Sequence, residues 1–383
     1  MPVVNSETAL YLDKPAEVER FLNEISDVKE LALDTEGASF HRFLDRIYLL
    51  QVSTRERNAI IDPLPIGSLP KLGELLQNNA IEVVFHDADY DLRLLHQDYG
   101  WHVTTIFDTR VAAQLLGIKS FGLAALLEQF FDVKLDKKHQ RADWSMRPLP
   151  HDMLEYAAQD TRYLLQLRDQ MKSELQRRGR WHWAQEEFAR LEGTRWEAEE
   201  EMEGFLRLKG ARDLTRRELA VLREVATWRD KTAEQLDRAT FRVMGNEVLF
   251  DLARKAPRNA TELSSIKGMP RGMVERGGSD LVAAIRRGLE APEAELPKFP
   301  RGQRWNKDRD FDDRVGRLKA VRDAAASRLE LDPGVLCSRE RLENVARSGA
   351  KTLEDLEKVP GLRRWQIEEM GADFLNALKS AAA

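Results

Sequence analysis

Asp34 and Glu36 lie two apart in the apolar run LALDTEG. The period of two in a strand puts both carboxylates on one face. Downstream, the aliphatic run VVFH leads into DADYDLRLL, where Asp91 precedes an apolar stripe at Leu92, Leu94 and Leu95 that can press its helix onto a sheet. In EYAAQDTRYLL, Tyr156 and Asp160 are four apart and share one helix face. Each element has an ordinary reading by itself: a strand end emerging into solvent, acids complementing a helix N-terminus, or a core aromatic beside a surface acid. Together they supply four carboxylates, which suits two hard divalent cations such as Mg²⁺ or Mn²⁺. Such ions prefer oxygen ligands and leave positions for water and phosphate. A pair of ions about 3.5–4 Å apart supports in-line attack of water on phosphorus. Tyr156, with a phenol whose ordinary pKa is about 10, is suited to orienting that water and is a poor base at neutral pH.

Positioning these groups requires an α/β domain. ALYLD, ELALDTE, RIYLLQVS, NAIIDP and IEVVFH read as strands. PAEVERFLNEIS, opened by Pro15, LPKLGELLQ and YDLRLLHQD read as helices. Three closely spaced strands between Leu31 and Pro63 predict a mixed sheet with helices packed on it. After Ser120 the pattern is helical. Beyond the acidic run Glu197–Glu203, a small all-α region contains two similar stretches, ATELSSIKGMPRGM and AKTLEDLEKVPGLRRW, a diverged duplication. APEAELPKFPRGQRW, with three prolines, reads as an extended linker between the copies.

Composition narrows the function classes. At 383 residues the chain is long enough for two or three domains. Its 42% hydrophobic and 33% charged residues indicate globular cores. No run approaches the roughly 18 apolar residues of a membrane helix, and MPVVNSETAL lacks a basic-then-apolar leader, so a cytoplasmic protein without membrane partners is expected. Cys337 is the only cysteine, which excludes an internal disulfide, and the seven histidines show no HxH or HExxH spacing for zinc. No phosphate-cradling glycine motif suggests a nucleotide cofactor. A net charge of −5 offers no bulk basic field for nucleic acid, but a metal-dependent nuclease must itself carry acids that its cations neutralise.

The ordered set of strand DxE, helix Asp and YxxxD, with FDTRVAAQLLG, SFGLAALLEQFF and KKHQRADWSMRPL before YAAQD, resembles the DEDDy branch of the DEDD exonucleases. More closely it resembles the ribonuclease D family, whose helicase-and-RNase-D C-terminal (HRDC) domains the two helical units resemble. The resemblance spans nearly the whole chain and implies an RNase H-like α/β catalytic domain with a mixed sheet (residues 1–205). It also implies HRDC-like all-α units over 206–290 and 309–383, with a Pro-containing linker over 291–308. It implies hydrolytic removal of nucleotides one at a time from RNA 3′ ends, transfer RNA precursors being the usual substrate. Catalytic residues would be Asp34, Glu36, Asp91, Tyr156 and Asp160, with the four acids holding two divalent cations (Mg²⁺ or Mn²⁺). Gly37 departs from the bulkier aromatic of many relatives, which shifts contact with the terminal nucleotide to Phe40, His41 or Phe43. The first HRDC-like unit also lacks a proline at Ala239 or Thr240.

Lys134–Arg147 carries five cations against two acids, a local excess suited to phosphate contacts or to a solvated loop. Lys137 and Arg147 match recurring family positions and are the expected RNA contacts with Phe40. Trp144 reads first as a packing anchor. DNA as substrate, as in polymerase proofreading domains, and a non-catalytic scaffold with vestigial acids are the alternatives. Oligomeric state is not encoded in any motif.

Overall fold

The structure, a computed structural model, describes residues 9–136, 138–197, 204–299 and 310–379. Six strands form one sheet: β1 (Leu10–Leu12), β2 (Glu30–Glu36), β3 (Leu49–Ser53), β4 (Asn58–Ile61), β5 (Glu82–Phe85) and β6 (Ile106–Asp108), in the order β1-β4-β3-β2-β5-β6. β2, β3 and β4 pair antiparallel, while β1 on β4 and β5 and β6 beyond β2 pair parallel, giving the mixed sheet that the closely spaced strands predict. β6 is the strand that sequence periodicity misses. At three residues it carries too little pattern to register.

The catalytic-domain helices are α1 (Pro15–Glu24), α2 (Pro63–Ile66), α3 (Pro70–Leu76), α4 (Asp89–Tyr99), α5 (Thr109–Leu115), α6 (Leu123–Phe131), α7 (His151–Arg162), α8 (Leu164–Arg177) and α9 (Trp181–Leu191). Alternation along β2 decides which face receives what. Leu31 and Leu33 enter a core with Phe21, Leu72 and Leu92 from α1, α3 and α4. Ala32 faces the opposite core, with residues of α5 and α8. By the same period, Asp34 and Glu36 stand on the face with Ala32, which α7 covers through Met153, Ala157 and Ala158.

The C-terminal half is helical: α10 (Arg216–Gln235), α11 (Thr240–Val243), α12 (Asn246–Lys255), α13 (Ala260–Ser264) and α14 (Arg271–Glu290), then α15 (Phe311–Leu329), α16 (Pro333–Leu336), α17 (Arg339–Ser348), α18 (Leu353–Glu357) and α19 (Arg364–Lys379). The duplication seen in sequence is structural, since α13–α14 and α18–α19 repeat a short capped helix followed by a long one. Asn259 and Thr352 cap the short helices. Where the second unit opens α16 with Pro333 behind the Asp332 cap, the first opens α11 with Thr240 and no side-chain cap.

The two units differ in how they join the catalytic domain. The first closes its own core around Leu222, Val225, Leu249 and Leu281. The second shares one continuous core with the catalytic domain, in which Phe107, Trp183 and Phe188 meet Leu318, Trp365 and Phe374. Trp183 stacks on Trp365 with centroids 4.8 Å apart, and Glu186 accepts from the N–H groups of Arg364 and Trp365 at the start of α19. Gly117, at φ +76, lets the backbones approach: a Cβ there would lie 2.3 Å from the Glu330 carbonyl oxygen. The segment after α14 is less extended than its prolines suggest. Leu296 packs on Ala220, and Arg216 donates to the carbonyls of Glu293 and Leu296. Residues 300–309 lie outside the described part.

Candidate active site

Three of the five expected catalytic groups meet at the open end of the sheet. Carboxylate oxygens of Asp34, Glu36 and Asp160 lie within 4.8 Å of one another. Asp34 and Glu36 come from β2, and Asp160 descends from α7 onto the same face. Asp91 approaches from the other side of β2. Its carboxylate is buried and accepts from both the backbone N–H (3.0 Å) and the hydroxyl (2.5 Å) of Thr35, the residue between the two strand acids. Thr35 thereby sets the position of Asp91 relative to Asp34.

The electrostatics of this cluster set buried acids against one another. Burial first, and the neighbouring Asp160 charge second, push Asp34 well above the usual carboxylate range. Burial does the same to Glu36, reinforced by Asp34, Asp160 and Asp91. Asp91 is raised by burial and by Asp34, against the opposing pull of Thr35. Burial pushes Asp160 up to about 7. Among the described residues, none of the ion pairs involves any of these four acids. Partly exposed carboxylates converging without a protein cation are the donor set that a hard divalent ion takes.

Tyr156 lies half-buried one turn before Asp160. Its ring packs against Trp144 (6.1 Å) and edge-on to His139 (5.8 Å), and its phenol is raised above the ordinary value by burial, then by Asp160, Glu36 and Asp34. Trp144 is 1% exposed, so it is the packing anchor that its size suggests. Asp108 is a structural member of the site that the motifs do not reveal. It caps α5, and its buried carboxylate accepts from the backbone N–H groups of Asp87, Ala88, Arg110 and Val111, fixing the turn that delivers Asp91. An Asp immediately before a helical pattern was its available signal. His86 is structural: burial lowers it to about 4, and Nδ1 meets the Thr109 hydroxyl at 2.9 Å.

The loop from Gly37 to Arg46 forms the rim. Phe40 is 45% exposed there, with the Arg141 guanidinium 5.2 Å above its ring. The first helical unit docks on this loop: Phe241 meets Phe40 edge-on at 6.2 Å, Asp237 pairs with Arg42 at 3.0 Å, and Ala239 N–H donates to the His41 carbonyl. Gly37 has a structural cause that sequence reasoning missed. A Cβ there would lie 2.2 Å from the Tyr90 hydroxyl and 2.7 Å from Asp45. The space that an aromatic would fill after Glu36 is filled instead by Tyr90, whose hydroxyl donates to Asp45 at 2.6 Å and whose ring remains exposed.

Two expected RNA contacts fare differently. Lys137 lies outside the described residues. Arg147 is engaged within the protein: its guanidinium grips the buried Asp62 through Nη2 at 2.8 Å and donates to the Tyr48 and Trp144 carbonyls. Asp62 is 2% exposed, so this cation already neutralises a buried carboxylate. Arg363 is engaged similarly by Glu187 at 3.1 Å.

A 3′-5′ exonuclease family model matches residues 10–176, and the HRDC domain model matches residues 218–285 and 311–378. Ribonuclease D of Granulibacter bethesdensis is 31% identical over 353 residues, covering 91% of this chain and 87% of that protein. A crystal structure of a protein from Bifidobacterium adolescentis superposes with a TM-score of 0.81 at 26% identity, over 97% of this chain and all of that one. The Escherichia coli RNase D structure shares the fold at a TM-score of 0.74 and 24% identity, over 98% of this chain and all of that one.

Proposed function

The chain belongs to the ribonuclease D family of 3′→5′ exoribonucleases, and from that premise we propose that it trims the 3′ ends of transfer RNA precursors in the cytoplasm, using two divalent cations (Mg²⁺ or Mn²⁺). The observation that carries the reading is the convergence of Asp34, Glu36 and Asp160 to within 4.8 Å, with Asp91 tied to the intervening Thr35.

Asp34, Glu36, Asp91 and Asp160 are the residues that would hold the cations. Bound there, divalent ions supply an activated water and neutralise charge developing on the scissile phosphate and its leaving oxygen. The remaining work falls to the chain. Tyr156 keeps its proton throughout the neutral range, because burial and three nearby acids oppose ionisation, so its hydroxyl orients the attacking water and does not deprotonate it. Trp144 and His139 fix the Tyr156 ring. Phe40, exposed beside the cleft, and Tyr90, standing where Gly37 leaves room, present aromatic surface for the terminal nucleoside. The first helical unit is bonded to the rim loop, so it stands beside the path by which RNA reaches the acids.

The test is a time course on a 3′-extended transfer RNA labelled at its 5′ end, with Mg²⁺, with Mn²⁺ and with EDTA. A ladder shortening from the 3′ end only with metal is expected. Intact RNA in every condition, from folded protein that binds it, would refute the reading.

A further inference from the structure

Gln51 is fully buried, and neither its amide nitrogen nor its amide oxygen has a hydrogen-bond partner in the protein. An orphaned buried amide is rare and unfavourable in a native interior. Its position supplies a reason. In the antiparallel pair β2–β3, Gln51 stands directly opposite Asp34, so the two side chains share a face at neighbouring-pair distance. On the same face of β3, Leu49 lies opposite Glu36 and packs in the core beneath α7, while the Ser53 hydroxyl meets Thr161 of α7 at 2.7 Å. Between these two contacts, Gln51 faces the turn of α7 that carries Asp160.

We propose that Gln51 is a positioning residue of the carboxylate cage, whose side-chain N–H donates to Asp34 when the acids are ionised around a divalent cation. The inference rests on the metal-dependent reading above and deepens it. An amide suits this place better than a cation would. It can hold an ionised carboxylate in its ligating orientation without contributing positive charge that competes with the metal.

The experiment compares wild-type protein with Gln51→Met, which keeps volume and removes the amide. Mn²⁺ affinity is read from the EPR signal of free Mn²⁺, metal-free stability from thermal melting, and kcat and KM from 3′ trimming of RNA. Expected are Mn²⁺ binding weakened about tenfold or more, as when partners of ligating groups are removed, lower kcat at unchanged KM for RNA, and a metal-free melting temperature equal to or above wild type. A purely structural role would lower the metal-free melting temperature and leave Mn²⁺ affinity within twofold. That result overturns the proposal. If Gln51→Met does not fold, Gln51→Asn decides by the same titration: weakened Mn²⁺ binding supports the assignment, and unchanged binding overturns it. Wild-type protein that binds no Mn²⁺ would instead refute the metal-dependent reading, and the inference with it.

Discussion

Replacing Asp160 with Asn should make the metal-free protein more stable while abolishing its activity. In the folded chain Asp160 titrates near 7, against an ordinary value of 3.8, because burial disfavours its charge. A raised carboxylate favours folding while protonated: its contribution is complete below the unfolded value of about 4 and disappears as pH rises through about 7. At about 1.4 kcal/mol for each tenfold change in proton affinity, the full displacement is worth about 4 kcal/mol at pH 8. Because Asp160 titrates beside Asp34 and Glu36 and all three are partly exposed, about half of that, ~2 kcal/mol, is expected for one substitution. For a domain of this size it corresponds to a rise of about 4–8 °C in melting temperature. Thermal melts in EDTA between pH 5 and pH 8.5 should therefore show wild type losing stability with pH and Asp160→Asn losing much less. Mg²⁺ near 100 times its dissociation constant should restore about 2.7 kcal/mol to wild type and little to the variant. Trimming should fall by about a thousandfold, equivalent to about 4 kcal/mol of lost transition-state stabilisation. A variant melting at or below wild type throughout this pH range would refute the argument that the metal-free fold disfavours the Asp160 charge.

Tyr156→Phe keeps the ring packed against Trp144 and removes the hydroxyl. Single-turnover trimming should slow about a hundredfold with Mn²⁺ affinity within twofold, and unchanged rate removes Tyr156 from the mechanism. Gly37→Ala places a methyl against the Tyr90 hydroxyl. It should break the Tyr90–Asp45 bond and raise KM for RNA several-fold, with metal affinity unchanged in the EPR titration. Arg147→Ala strands Asp62 as an unpaired buried carboxylate and should lower stability by about 3 kcal/mol in denaturant titration. The salt dependence of RNA binding should stay as in wild type, since a phosphate contact would instead reduce that slope.

What could be read from sequence divides along physical lines. Asp34 and Glu36 were legible because the strand period is local, and Asp91 because the stripe Leu92, Leu94 and Leu95 reports the buried face of its own helix. Residues whose meaning depends on a distant partner were not. Nothing near Arg147 announces Asp62, and nothing near Gly37 announces Tyr90. Thr35 looks like a spacer until Asp91 is placed beside it, and Gln51 becomes informative only when strand register sets it opposite Asp34. The duplicated helical units were visible as a repeat. Their unequal attachment was not, because the second is joined through Trp183, Glu186 and Glu187, side chains that in sequence look like an ordinary amphipathic helix.

That unequal attachment divides the molecule into thermodynamic units that do not follow its sequence repeats. With Trp365 and Phe374 completing the core beneath α9, the second HRDC domain is a wall of the nuclease, and removing it would strip cover from Trp183. The first HRDC domain, closed on its own core, meets the nuclease through small polar and edge-on aromatic contacts at the rim loop. Of two similar modules, one has thus become part of the masonry and the other stands as a doorpost set against the rim. Exchanges of sequence are correspondingly better survived in the first module, whose core is its own, than in the second, whose core is continuous with the fold that holds the acids.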